Sequence, residues 1–144
     1  MASISLKKLV DKMKLENLTT EIDVESKRIT QSDLNRPALQ LAGYFAHFDA
    51  TRLQVIGNVE YTYLESVDVE TKKDIYEKLL SYNIPAVVFS RELQPDELFL
   101  ETARSHEVPV FSTKKVTSAF MAEAIMWLNV QLAPCISVHG VLID

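Results

Sequence analysis

From Pro85 onward the chain alternates between two hydrophobic periods, and this alternation narrows the available folds more than any other feature. Ala86-Val87-Val88-Phe89 is a short apolar run of the kind found in a strand covered on both faces. Pro95 with Asp96 and Glu97 then opens a helix with acids in its first turn, favourable at the positive end of the macrodipole. Val108–Phe111 reads as the next strand. Val116–Leu132 reads as the longest helix, with Phe120, Ala124, Trp127 and Leu128 inward and Pro134 just past its end. Ile136–Ile143 follows as an extended segment. Such a succession requires right-handed crossovers and parallel neighbouring strands.

The first half is less regular. Leu6, Leu9, Val10 and Met13 recur at helical spacing behind Ser5, a plausible N-cap, which predicts a helix over Leu6–Lys14. Short extended pieces are expected near Leu15–Thr19 and Arg28–Ser32, so part of the sheet should be antiparallel. Pro37–Ala42 reads as a short helix closed by Gly43, with Asp33 or Asn35 available to cap it and Arg36 available to pair with a carboxylate. Arg52–Ile56 reads as a strand entering a turn at Gly57. Asp68 should cap a helix through about Ser81, with Ile75, Leu79 and Tyr82 on one face. The expected fold is α/β: a three-layer α/β/α single domain with a mixed, largely parallel sheet, without repeats or linkers.

Glycine scarcity excludes one kind of chemistry outright. The three glycines, Gly43, Gly57 and Gly140, lie too far apart for G-x-G-x-x-G or G-x-x-x-x-G-K-[ST], so neither glycine-rich phosphate cradle can form in this chain. The net charge of −5 argues against a general nucleic-acid binder. Apolar runs reach at most the five residues Ala124–Leu128, too short to span a membrane. The opening Met1–Leu15 lacks the apolar stretch of a secretory signal. A single cysteine, Cys135, fits a reducing, cytoplasmic setting and reads as a small packed residue rather than a nucleophile. Charge is uneven. Residues 1–14 carry four lysines against one aspartate, and residues 60–107 carry eleven acids against five bases. Two solvated faces account for this, and head-to-tail contact in an oligomer is the sharper alternative.

Individual residues add little chemistry. His47-x-Asp49 offers two metal ligands without the further ligands and outer partners a site needs, so no metal is expected. Tyr44, Phe45, Phe48, Tyr61 and Tyr63 read as packing groups rather than a base-stacking platform.

Asp33-Leu34-Asn35-Arg36-Pro37-Ala38-Leu39-Gln40-Leu41-Ala42-Gly43-Tyr44-Phe45 resembles the signature block of the amino-terminal domain of HPr kinase/phosphorylase. The likeness continues through Arg52–Gly57, Pro85–Phe89, Thr117-Ser118 opening the long helix, Leu132-Ala133-Pro134 and His139-Gly140-Val141-Leu142-Ile143-Asp144, in order along the whole chain. Ala38 departs from the usual glycine, a change a short helix tolerates. In that family a P-loop catalytic domain follows, so the resemblance implies that residues 1–144 are an amino-terminal domain whose partner is its own carboxyl-terminal kinase domain. The family phosphorylates a serine of the phosphocarrier HPr with ATP or pyrophosphate and reverses this by phosphorolysis, with magnesium, in control of carbon catabolite repression. Its full proteins resemble homo-oligomers, specifically hexamers.

The resemblance implies no cofactor bound by this chain itself, since the phosphate cradle and the proton-transferring aspartate would lie beyond Asp144. His139 alone matches a family active-site position. Asp33, Asn35, Arg36, Pro37 and Gly43 are read as structural or domain-contact residues, with ligand binding by Asp33, Asn35 and Arg36 as the alternative. The competing reading is a free-standing small-ligand or sugar-phosphate sensor, similar in architecture to the uridine-nucleotide-binding domains of peptidoglycan ligases. Ser112-Thr113-Lys114-Lys115, between a strand end and a helix start, is the candidate anion site on either reading.

Overall fold

The computed structural model describes residues 2–134. Cys135, His139 and the extended segment expected at Ile136–Ile143 lie outside the described residues. Strand β1 (Ile4–Ser5) runs into helix α1 (Leu6–Met13), where the Ser5 hydroxyl oxygen accepts from the Lys7 N–H at 3.1 Å, as a serine N-cap should. Strands β2 (Glu16–Asn17), β3 (Arg28–Ile29) and β4 (Leu34–Asn35) follow, then helix α2 (Ala38–Leu41). Strand β5 (Leu53–Ile56), helices α3 (Asn58–Glu65) and α4 (Val69–Leu80), strand β6 (Val87–Phe89), helix α5 (Glu97–Ser105), strand β7 (Val110–Ser112) and helix α6 (Thr117–Leu132) complete the fold.

The main sheet has the order β2-β7-β6-β5-β4, parallel throughout except for β2 against β7. This is the mixed, largely parallel arrangement expected. β1 and β3 form a separate antiparallel pair. Side-chain alternation on the strands divides the core in two. Leu53, Val55, Val88 and Phe111 pack with α1 and α6 through Leu6, Leu9, Phe120, Ala124 and Leu128. Ile56, Val87, Phe89 and Val110 point the other way, against Leu41, Tyr76, Leu79, Phe99 and Ala103 of α2, α4 and α5. Successive crossovers thus load α2–α5 on one face, and α6 passes from β7 to the other. Because β4, β5, β6 and β7 run parallel, the helices that follow them all start at the carboxyl edge of the sheet.

Four expectations are corrected. Residues 34–35 form the edge strand of the sheet, so Asn35 is drawn into strand pairing and Asp33 into an exposed ion pair with Arg52 at 3.8 Å; α2 starts at Pro37 without a side-chain cap. Gly57 is the N-cap of α3, an additional helix that its weak amphipathic pattern hid. Tyr82 lies beyond α4 and is exposed, stacked on Phe45 with ring centroids 5.0 Å apart; Tyr76 takes the inward place. Trp127 is only partly buried at the edge of its core. Gly43 does close the α2 turn, at φ +100°, a conformation that a side chain would strain.

Asp68 caps α4 as expected, its Oδ1 accepting from the Thr71 N–H at 2.7 Å. That bond, with the Thr71 side chain, holds the carboxyl below the ordinary 3.8. A lowered folded pKa means the charged cap contributes stability above pH 3.8 and loses it as pH falls through the folded value. Nuclear magnetic resonance titration should therefore place the Asp68 midpoint below 3.8, and Asp68→Asn should flatten the acid-side fall of the thermal midpoint.

Candidate functional site

The carboxyl ends of β4, β5 and β6 and the start of α6 converge on Gly57. Glu60, in the first turn of α3, has a side chain only 2% exposed. Its Oε1 accepts from the Gly57 N–H at 2.8 Å and from Arg36 Nη2 at 2.7 Å. This is the backbone arm of a capping box, with a guanidinium added to balance the buried charge. Arg36 follows β4 directly and its side chain stays 37% exposed. A Cβ at Gly57 would sit 2.6 Å from Thr117 Oγ1 and 2.7 Å from Arg36 Nη2. Only glycine allows α6 and the arginine to approach so closely.

The neighbouring hydroxyls are mutually saturated. Ser90, after β6, is fully buried and donates to the Ile56 carbonyl at 3.2 Å. Its single proton is thereby committed, so Thr117 donates across the 2.6 Å contact to Ser90 Oγ. Beside them, Asn35 Nδ2 donates to Gln54 Oε1 at 2.7 Å and Gln40 Oε1 at 3.1 Å. Gln54 Nε2 in turn donates to the Arg52 carbonyl at 2.9 Å, and Gln40 Nε2 to the Tyr44 carbonyl at 3.3 Å. Every buried amide therefore has partners, as burial demands. Chemically, both hydroxyl protons of the cluster are committed, and both hydrogen bonds to Glu60 fall on Oε1. The cluster positions β4, α2, α3 and α6 against one another and presents Arg36 at the surface.

Ser112, Thr113, Lys114 and Lys115 come together at a second place on the same edge, around a cavity of about 260 Å³ that also takes in Lys14, Glu16 and Glu92. Ser112 Oγ donates to Glu16 Oε1 at 3.0 Å, and Thr113 Oγ1 accepts from the Lys115 N–H at 3.2 Å. Lys115 Nζ reaches Glu123 at 3.3 Å. Both signs of charge line this loop, and the adjoining α6 start has no side-chain cap. The sequence-predicted residues thus separate. Asn35, Arg36 and Pro37 adjoin the Gly57 cluster, Asp33 and Gly43 flank it, and residues 112–115 form another group.

His47 stands exposed at φ 64°, while Asp49 accepts from Thr51 and Gln31, whose hydrogen bonds hold its carboxyl low. Among the described residues no group of three or more His, Cys, Asp or Glu is placed to hold a metal. Phe45, Phe48 and Tyr82 pack edge-on and stacked, with Lys78 Nζ 4.8 Å from the Phe45 centroid. Among the described residues no helix is long and apolar enough to cross a membrane. Sequence reasoning missed Glu60, Ser90, Gln40 and Gln54. For Glu60 a signal existed in Gly57-x-x-Glu60, the spacing of an N-cap and its N3 acid.

Residues 4–128 match the family model described as HPr Serine kinase N terminus. The HPr kinase/phosphorylase of Lachnoclostridium phytofermentans is 52% identical over 144 residues, which are 100% of this chain and 47% of that protein. That of Alkaliphilus metalliredigens is 39% identical, again over 100% of this chain and 46% of the relative. The chain thus spans about half the length of these curated relatives. A solved structure of the regulatory region of Clostridium perfringens pyrophosphatase, its CBS and DRTGG domains with the activator diadenosine tetraphosphate, superposes with a TM-score of 0.57. It covers 89% of this chain and 46% of that one at 16% identity, a likeness of fold alone.

Proposed function

The chain belongs to the family of HPr serine kinase amino-terminal domains, and from that premise we propose that it is the regulatory and assembly half of a bifunctional HPr serine kinase/phosphorylase. The observation that carries this reading is the match of the whole chain to only 47% of a relative bearing that name. The remaining half would be its partner and the seat of catalysis. There the serine of HPr is phosphorylated with ATP or pyrophosphate, and the product is phosphorolysed in reverse, with magnesium, in a cytoplasmic homo-oligomer that controls carbon catabolite repression. His139 is the one position of this chain carried into that chemistry, by resemblance.

The residues of this chain do not fit a nucleoside triphosphate of their own. Three dispersed glycines build no phosphate cradle. At the α3 start the Glu60 carboxylate takes the Gly57 N–H that a phosphate would need, and Glu16 and Glu92 line the lysine loop. No phosphoryl-transfer step is therefore assigned to this chain. What it contributes is a saturated, rigid junction with Arg36 on its surface.

The pure chain is expected to give no heat with Mg-ATP at micromolar protein and no phosphorylation of HPr; turnover would overturn the reading. The positive test exchanges the corresponding half of the L. phytofermentans protein for this chain. The chimera should phosphorylate HPr and sediment as the parent does. A folded chimera that does neither sinks the assembly role.

A further inference from the structure

Between α3, α4 and the entry to α5 lies a second, smaller cavity, of about 130 Å³, at the carboxyl end of β6. Its walls are Tyr61, Leu64, Phe89 and Phe99, and Tyr76 closes one side. Each ring is fixed. Tyr61 donates its hydroxyl to the Gln94 carbonyl at 2.7 Å and meets Phe89 edge-on at 6.4 Å. Phe99 stands edge-on to both Phe89, at 5.2 Å, and Tyr76, at 5.0 Å. Tyr76 donates to Asp96 Oδ2 at 2.9 Å, and burial together with that carboxylate pushes its hydroxyl well above the usual range, so the bond stays donated at ordinary pH.

With the two tyrosines tied by hydrogen bonds and the two phenylalanines packed edge-on against them, the space stays open in the folded protein. The size is close to the roughly 150 Å³ of an engineered apolar cavity that takes up benzene. One six-membered ring with a short substituent fits; a nucleotide does not.

The mouth decides what the substituent is. Glu65, Asp96 and Lys72 stand there, two carboxylates against one ammonium. Lys72 Nζ is 3.3 Å from Asp96 Oδ2, and Asp96 Oδ1 accepts from the Phe99 N–H at 2.8 Å, so Asp96 is already compensated. Glu65 is exposed at the rim. A hydrogen-bond donor or cation leaving the cavity meets a favourable field, and an anion an unfavourable one.

We propose that this cavity is a binding site for a single aromatic ring carrying an amine or other hydrogen-bond donor. It is independent of the reading above, because it is measured on this chain alone without HPr, nucleotide or any other domain. The probes are benzylamine, benzyl alcohol and benzoate, titrated into isotope-labelled protein and followed by amide chemical shifts. Benzylamine should saturate with a dissociation constant on the order of 1 mM, shifting residues 61–65, 72–76 and 96–99. Benzyl alcohol should bind several-fold more weakly and benzoate not measurably.

Leu64→Phe should fill the space, abolishing the shifts while keeping the thermal midpoint at or above that of the parent. Glu65→Gln, at an exposed position, should bring benzylamine down to the affinity of benzyl alcohol with the fold intact. Absence of saturable shifts at about 10 mM benzylamine overturns the proposal. So does binding that survives Leu64→Phe, or benzoate binding as well as benzylamine.

Discussion

Replacing Gly57 by valine is expected to lower the stability of the chain by about 3 kcal/mol in urea unfolding, the largest loss from any single substitution at the strand-end cluster. The backbone there is extended, at φ −112°, so valine brings no conformational strain of its own. The cost is steric. The new Cβ would stand 2.6 Å from Thr117 Oγ1 and 3.2 Å from its Cγ2, and Thr117 is a β-branched residue on the first turn of α6, bonded to buried Ser90. Arg36 Nη2, at 2.7 Å, is the end of a flexible chain and can swing away cheaply. Alanine should cost less, about 1–2 kcal/mol. In a Thr117→Ala background the Gly57→Ala penalty should shrink well below that, because the stiff obstacle is gone; the double-mutant cycle would read a coupling of about 1 kcal/mol. Gly57→Val as stable as the parent would mean that the α6 start does not press on the β5 end.

Glu60→Ala ranks next, at about 2–3 kcal/mol. Its carboxylate is the acceptor for the Gly57 N–H, and the alanine leaves that buried donor without a partner. Breaking a fully buried ion pair costs more, but Arg36 is 37% exposed and turns to water when its partner is lost. Arg36→Ala should cost about as much, roughly 2–3 kcal/mol, because it leaves the Glu60 carboxylate, only 2% exposed, without its counter-charge. Glu60→Gln keeps an acceptor oxygen for Gly57 and leaves no buried charge, so it should cost least, near ~1 kcal/mol. Chemical unfolding of the three variants under one set of conditions gives the order. Were Glu60→Gln as damaging as Glu60→Ala, the charge pair rather than the capped backbone would be holding the junction.

The amino-acid sequence by itself determined the α/β class, because the short apolar run at residues 86–89, with its β-branched valines and bounded by Pro85 and Ser90, has the length of a covered strand, and the 16-residue stretch behind Val116 is too long for one. It also determined the helices begun by Ser5, Asp68 and Asp96, where a side-chain oxygen meets a backbone N–H two or three residues on. And it determined that no glycine-rich phosphate cradle is built here. These are local properties, set by neighbours within one or two turns.

The site was different. Strand β4 is two residues long and has no period to read; its pairing with β5 makes it a strand, and that pairing takes Asn35 away from the helix it was expected to cap. Arg36 meets Glu60 across 24 positions of sequence and Ser90 meets Thr117 across 27. The ring-lined cavity likewise draws its walls from three helices and a strand end. Polar and aromatic side chains of these types are compatible with surface, core or site, so composition and spacing leave them open. Only the sheet order, which brings the ends of β4, β5 and β6 side by side, selected which of them share a buried hydrogen bond, because an unpaired polar group there would cost more than the fold can spare.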